Sequence, residues 1–219
     1  DQPDGPFFGG VDRILRFEGA TGSPLDTFVS GGGLSAPRGL AFSPDGDLYV
    51  VDRGGIWGAS AVYHFRGPNA GSPAVPGAFV GTVPGTTNTA GNDVAFGPDG
   101  NLYLSSDNDV VYRYQPAGGA AETLGSPPGT SNPWGVAFAG RGDLFVADTG
   151  HNRILRFSGS AVSLGVFAQV GEEGLNCGRY MAFVPSGAQL FATDAFLFVA
   201  SEFSDDVKYY DADGQYLGR

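Results

Sequence analysis

One segment recurs along this chain, and the recurrence limits what the chain can fold into. Gly39-Leu-Ala-Phe-Ser-Pro-Asp-Gly-Asp-Leu-Tyr-Val50, Asp93-Val-Ala-Phe-Gly-Pro-Asp-Gly-Asn-Leu-Tyr-Leu104 and Gly135-Val-Ala-Phe-Ala-Gly-Arg-Gly-Asp-Leu-Phe-Val146 share one template, which Tyr180-Met-Ala-Phe-Val-Pro-Ser-Gly187 follows more loosely. Each joins two short apolar runs through a Gly-containing turn, the short-range signature of a β-hairpin of strands a and b. A third run, strand c, follows in every unit: Ile14–Phe17, Val62–Phe65, Val111–Tyr114, Ile154–Phe157 and Val207–Tyr210. A weaker strand d closes most units, as in Leu25–Val29, Gly77–Val80 and Leu164–Phe167.

Units of four short strands, with anchor rings Phe42, Phe96, Phe138 and Phe183 spaced 42 to 54 residues apart, predict an all-β propeller. The expected form is one domain over 1–219 with about five four-stranded antiparallel blades, at roughly 7–33, 34–82, 83–126, 127–171 and 172–219. With 37 Gly and 15 Pro the chain nears a disordered composition, but 42% hydrophobic and 13% aromatic residues require a core, which assigns the glycines to turns.

The first unit is incomplete: Phe7-Phe8 stands for strand b, and no strand a precedes it. The segment after Tyr210 is the strand d of the last unit, so the missing strand is expected from outside this unit or the ring stays open. Two insertions, Arg53–Ser60 and Ala188–Phe196, are expected to form loops of the kind that carry function.

A net charge of −11 disfavours nucleic acid and anionic lipid, which need clustered Lys and Arg, and leaves a protein partner or a larger assembly as the expected company. No apolar run is long enough to span a membrane as a helix. The single cysteine allows no internal disulfide, and a start at Asp1 would suit a mature product as well as a trimmed one.

The only histidines are His64 and His151, and neither has an evident partner in sequence. His64 takes the strand-c position held elsewhere by Arg16, Arg113 and Arg156, which favours a polar ladder role, and His151 lies in a b–c loop, which favours a structural hydrogen bond. Asp45, Asp47, Asp99 and Asp143 fall at a–b turns, where Asp serves geometry. The residues call for no cofactor. For a divalent cation such as Ca²⁺ the candidate ligands are Asp107-Asn108-Asp109 and Asp205-Asp206, without the spacing of a calcium loop. Cys177 reads as a small core residue without an adjacent base.

The most informative set comes from aligning the anchor rings. Arg38, Asn92, Trp134 and Arg179 then occupy one position, at the start of the innermost strand, and would ring one mouth of the channel. Two arginines, an amide and an indole can hold an anionic or carbohydrate-like ligand, or a partner's carboxylate; alternatively they cap strand ends.

Asp148-Thr-Gly-His-Asn-Arg-Ile-Leu-Arg-Phe157 resembles the signature of NHL repeats, with its His and Asn transposed, and the blade template extends the resemblance from about Phe7 to Tyr210. The resemblance implies a propeller related to lyases and lactonases and, with the acidity, a secreted or periplasmic setting. Lyases of this kind rely on His with a metal, and lactonases on Glu, Asn and Asp around a divalent ion. This chain has too few His for the first and no inner-strand Glu for the second. The reading is therefore a binding or scaffold module, with Asp148, Asn152 and Arg153 as structural ties. The alternative is a metal-assisted lyase or lactonase.

Overall fold

The computed structural model describes residues 12–54, 59–69, 73–116, 118–124, 130–169, 175–184 and 196–219. Phe7-Phe8 and most of the two insertions lie outside the described residues. Four sheets each contain four antiparallel strands in chain order. Blade I is β3 (Pro37–Phe42), β4 (Leu48–Asp52), β5 (Ala61–Phe65) and β6 (Phe79–Thr82), with β1 (Arg13–Phe17) and β2 (Pro24–Ser30) paired ahead of it as a separate sheet. Blade II is β7 (Gly91–Phe96), β8 (Leu102–Ser106), β9 (Val110–Tyr114) and β10 (Glu122–Thr123). Blade III is β11 (Pro133–Phe138), β12 (Leu144–Asp148), β13 (Arg153–Phe157) and β14 (Ser163–Gln169), and blade IV is β15 (Gly178–Phe183), β16 (Leu197–Ser201), β17 (Asp206–Tyr210) and β18 (Tyr216–Gly218). Among the described residues the fold is a β-propeller of four complete blades, with β1–β2 in the place of strands c and d of a fifth.

Burial explains why strand b is a continuous apolar run. All five residues of β4, β8 and β12 are buried, because neighbouring sheets cover both faces. The second strand d, β6, begins at Phe79, two residues later than the Gly77 start the sequence suggests.

The core lies between blades, and one contact recurs at each interface. Phe96 meets Tyr49, Phe138 meets Tyr103, and Phe183 meets Phe145, each edge to face with centroids 4.9 Å apart. The anchor ring of each strand a thus plugs onto the strand-b aromatic of the preceding blade. Phe42 departs from the expectation, since its ring is 51% exposed. The sheet ahead of it covers blade I through Ile14, Phe28 and Val29 against Leu48, Val50 and Phe65, and this contact does not bury Phe42.

The innermost strands β3, β7, β11 and β15 are neighbours in sequence order around the axis. A Cβ on Gly135 would lie 2.1 Å from the Arg179 carbonyl oxygen, and one on Gly39 would lie 2.5 Å from the Asp93 Cα. Glycine at this position lets the inner strands approach one another.

Candidate functional site

Antiparallel pairing places the start of strand a beside the end of strand b: Pro37 opposes Asp52, Gly91 opposes Ser106, Pro133 opposes Asp148, and Gly178 opposes Ser201. The residues that follow, Arg38, Asn92, Trp134 and Arg179 on one side and Arg53, Asp107, Thr149 and Glu202 on the other, therefore collect at one end of the propeller. Seven of these eight residues interact directly with another member of the set.

The Arg38 guanidinium lies 4.7 Å from the centroid of the Trp134 ring, and that of Arg179 lies 3.7 Å from it. Arg38 donates from Nη1 to Asn92 Oδ1 at 3.0 Å. Arg53 donates to the same oxygen at 3.0 Å, to the Ala90 carbonyl at 3.2 Å and to Asp107 Oδ2 at 2.5 Å. Asn92 Nδ2 completes this lattice by donating to Asp107 Oδ1 at 2.7 Å and to the Pro133 carbonyl at 3.1 Å. Arg179 pairs with Glu202, and among the described residues its buried Nε has no hydrogen-bond partner. A cleft of about 640 Å³ opens here, lined among others by Arg38, Arg53, Trp134, Cys177, Arg179 and Phe203.

Three of the four mouth residues expected from the sequence thus line one cleft. The fourth, Asn92, is fully buried, with its amide spent on blades I, II and III, so it positions the arginines and cannot face a ligand. Sequence reasoning missed Arg53, Asp107 as its counter-ion, and Glu202. The signal lay in the residue after each strand b, which antiparallel pairing must bring to the same mouth.

Electrostatics at the mouth follow from crowding. Burial first, and then the neighbouring Arg53 charge, lower the Arg38 guanidinium pKa. Burial alone would raise the Asp107 carboxyl, but hydrogen bonds from Asn92 and Arg53 outweigh it and hold the group below its ordinary value. Deeper in the channel, Asp93 stands where blades I and III have glycine. It accepts from Val94 N at 2.9 Å and from Val136 N at 3.1 Å, tying blade II to blade III. Burial pushes its carboxyl up to about 6, against the pull of those two N–H groups.

The remaining polar candidates serve the scaffold. Asp148 is fully buried and accepts from Ser131 N at 2.7 Å and from Arg153 Nε at 2.6 Å. Asn152 accepts from Cys177 N at 2.7 Å, linking blade III to blade IV. The histidines do have partners, which local sequence did not reveal. His151 Nδ1 lies 3.2 Å from Asp148 Oδ2, while His64 Nε2 lies 2.8 Å from Asp47 Oδ2 with its ring stacked on Tyr49. The latter pair repeats as Asp99–Arg113 and Asp143–Arg156, so His64 fills an ion-pair position of the blade. Cys177 is buried, as expected, but against the expectation of no neighbouring base its thiol lines the cleft and donates to Glu202 Oε2 at 3.2 Å.

Among the described residues no three His, Cys, Asp or Glu side chains converge as metal ligands. Three of the candidate calcium ligands are engaged with protein: Asp107 with Arg53 and Asn92, Asp109 with Asn132 N, and Asp206 with Lys208 and Ser204. Three guanidinium groups at the mouth also oppose a cation there, so the divalent ion of the lactonase pattern does not fit these residues.

Architecture and mouth together define a β-propeller with an open cleft at one channel end. Residues 130–157, covering β11 to β13, match the NHL repeat. No curated protein is significantly similar in sequence. Virginiamycin B lyase from Staphylococcus aureus is a solved structure of the same fold, at 14% identity and a TM-score of 0.60, with 95% of this chain matched to 63% of that one. A gluconolactonase from Xanthomonas campestris matches at 19% identity and a TM-score of 0.65, over 94% of this chain and 68% of its own. A chain of a nidogen/laminin complex matches at 18% identity and a TM-score of 0.53, over 72% and 56%. The chain spans 56% of a streptogramin B lyase and 63% of the virginiamycin B lyase, less than two thirds of either.

Proposed function

We propose that this chain is a binding or scaffold propeller, working in a secreted or periplasmic setting, that contacts a ligand or a protein partner through the mouth formed by Arg38, Trp134 and Arg179. One observation carries the reading. Residues from three blades converge on an open cleft and leave guanidinium donors facing it, while the other polar groups of the channel are spent on ties between blades. A similar fold occurs in the nidogen/laminin complex, which favours a partner-binding role and a place in a larger assembly.

The second reading, a metal-assisted lyase or lactonase, draws on folds similar to enzymes of those names. The cationic mouth counts against it. Elemental analysis of protein purified without chelators decides between them, with much less than one equivalent of divalent ion expected. A stoichiometric, tightly held ion lost from an Asp107→Ala variant would overturn the binding reading.

A further inference from the structure

Among the described residues, charge at the mouth does not balance. Arg38, Arg53 and Arg179 contribute three positive charges to one cleft, and the carboxylates paired with them are Asp107 on Arg53 and Glu202 on Arg179. Among the described residues Arg38 pairs with no carboxylate, and its hydrogen bond goes to the neutral Asn92 oxygen, which Arg53 shares. A guanidinium has five donors in a planar fork, so most of the Arg38 fork stays unspent at a half-buried position.

Arg53 and Arg179 bear on Arg38 with like charge, while Asp107, the counter-ion of Arg53, bears on it with opposite charge. An anion seated there would supply the missing countercharge and accept two parallel N–H bonds. The surroundings also limit how much negative charge is welcome. The chain carries −11 overall, and among the described residues the three guanidinium groups exceed the carboxylates paired with them by one, so a monoanion suits the mouth better than a dianion.

An apolar feature completes the pattern. Phe203 lines the same cleft and is 69% exposed, the most exposed of the large hydrophobic residues among those described. A ligand whose charged end meets Arg38 can cover that ring with an apolar body and remove it from water.

From this juxtaposition of an uncompensated Arg38 fork and an exposed Phe203 in one cleft, we infer that the mouth recognises a carboxylate carried on an apolar body: a free aliphatic or aromatic acid, or a peptide C-terminus ending in an apolar residue. The inference rests on the binding reading of the mouth and names its ligand chemistry. The carboxylate lies against Arg38, with Trp134 and Arg179 forming the wall beside it. The apolar body runs over Phe203.

The test uses the full chain with Trp57→Phe, which leaves Trp134 as the sole indole. Its fluorescence, with calorimetry alongside, is followed on adding hexanoate, acetate, hexanamide, inorganic phosphate, and a short acetylated peptide ending in Leu as free acid or amide. Hexanoate or the peptide acid is expected to saturate the signal, and the tighter of the two identifies the source. Acetate should bind at least tenfold more weakly than hexanoate, and hexanamide, the peptide amide and phosphate should give no saturable change. Arg38→Met should weaken binding at least tenfold and Phe203→Ser severalfold, with circular dichroism unchanged.

Equal binding of hexanamide and hexanoate, or preferred binding of phosphate, would overturn the carboxylate inference while leaving the mouth as a binding site. Hexanoate binding indifferent to both Arg38→Met and Arg179→Met would place the site elsewhere and overturn the reading of the mouth itself. Silence toward the whole panel would overturn the inference.

Discussion

Asp93 offers a stability test that reads the channel interior directly. Burial raises its carboxyl from 3.8 to about 6, although Val94 N and Val136 N both donate to it. A rise of roughly two units corresponds to about 3 kcal/mol, at about 1.4 kcal/mol per unit. The sign follows from proton uptake. Above about pH 6 the folded protein carries an ionised carboxylate in a site that disfavours it. As pH falls from 6 to 4 the folded form takes up a proton before the unfolded form does, so this group adds up to about 3 kcal/mol of stability on acidification. Asp47, Asp99 and Asp107 are held below their ordinary values and act in the opposite sense, so the wild-type curve alone does not isolate Asp93. Comparison with Asp93→Asn cancels them. At pH 7.5 the variant loses the charge penalty but turns an amide N–H₂ toward one of the two backbone donors, a cost of about 1–3 kcal/mol, so it should lie within about 2 kcal/mol of wild type. Urea unfolding followed by tryptophan fluorescence at pH 7.5, 6 and 4 should show the wild type gaining about 2–3 kcal/mol on the variant between the extremes. Parallel curves across that range would refute the burial argument.

Three further outcomes test the architecture. Phe138→Ala should cost about 3 kcal/mol by urea unfolding, because its ring packs on Tyr103, whereas Phe42→Ala, half exposed, should cost about 1 kcal/mol or less; equal losses would contradict the plug geometry. Asp148→Ala removes the buried acceptor of Ser131 N and Arg153 and should lower stability by about 3–5 kcal/mol, and an unchanged melting temperature with lost ligand binding would instead make Asp148 part of the binding site. Gly135→Ala would set a methyl group 2.1 Å from the Arg179 carbonyl and should destabilise by about 1–3 kcal/mol while shifting Trp134 emission; a silent variant would mean that blades III and IV do not approach closely at the axis.

Blade boundaries were legible in the chain because hairpins are local. The Gly in each a–b turn and the third apolar run identify β3–β5, β7–β9 and β11–β13 without any knowledge of what they pack against. The position of Arg38, Trp134 and Arg179 at one mouth was legible for the same reason, since repeats that share a template share a register. Their charge states were not. The counter-ion of Arg53 lies 54 residues away on the next blade, the amide that steadies Arg38 is equally distant, and whether Asn92 faces the cleft or the core depends on the packing of three blades. Phe42 makes the same point, since its template matches that of Phe96 and Phe138 and only its neighbours differ. The sequence by itself therefore determined the repeating unit and the residues each unit presents. The tertiary structure decided which of those groups are neutralised, because charge compensation and burial are set between blades, across distances that no local pattern encodes.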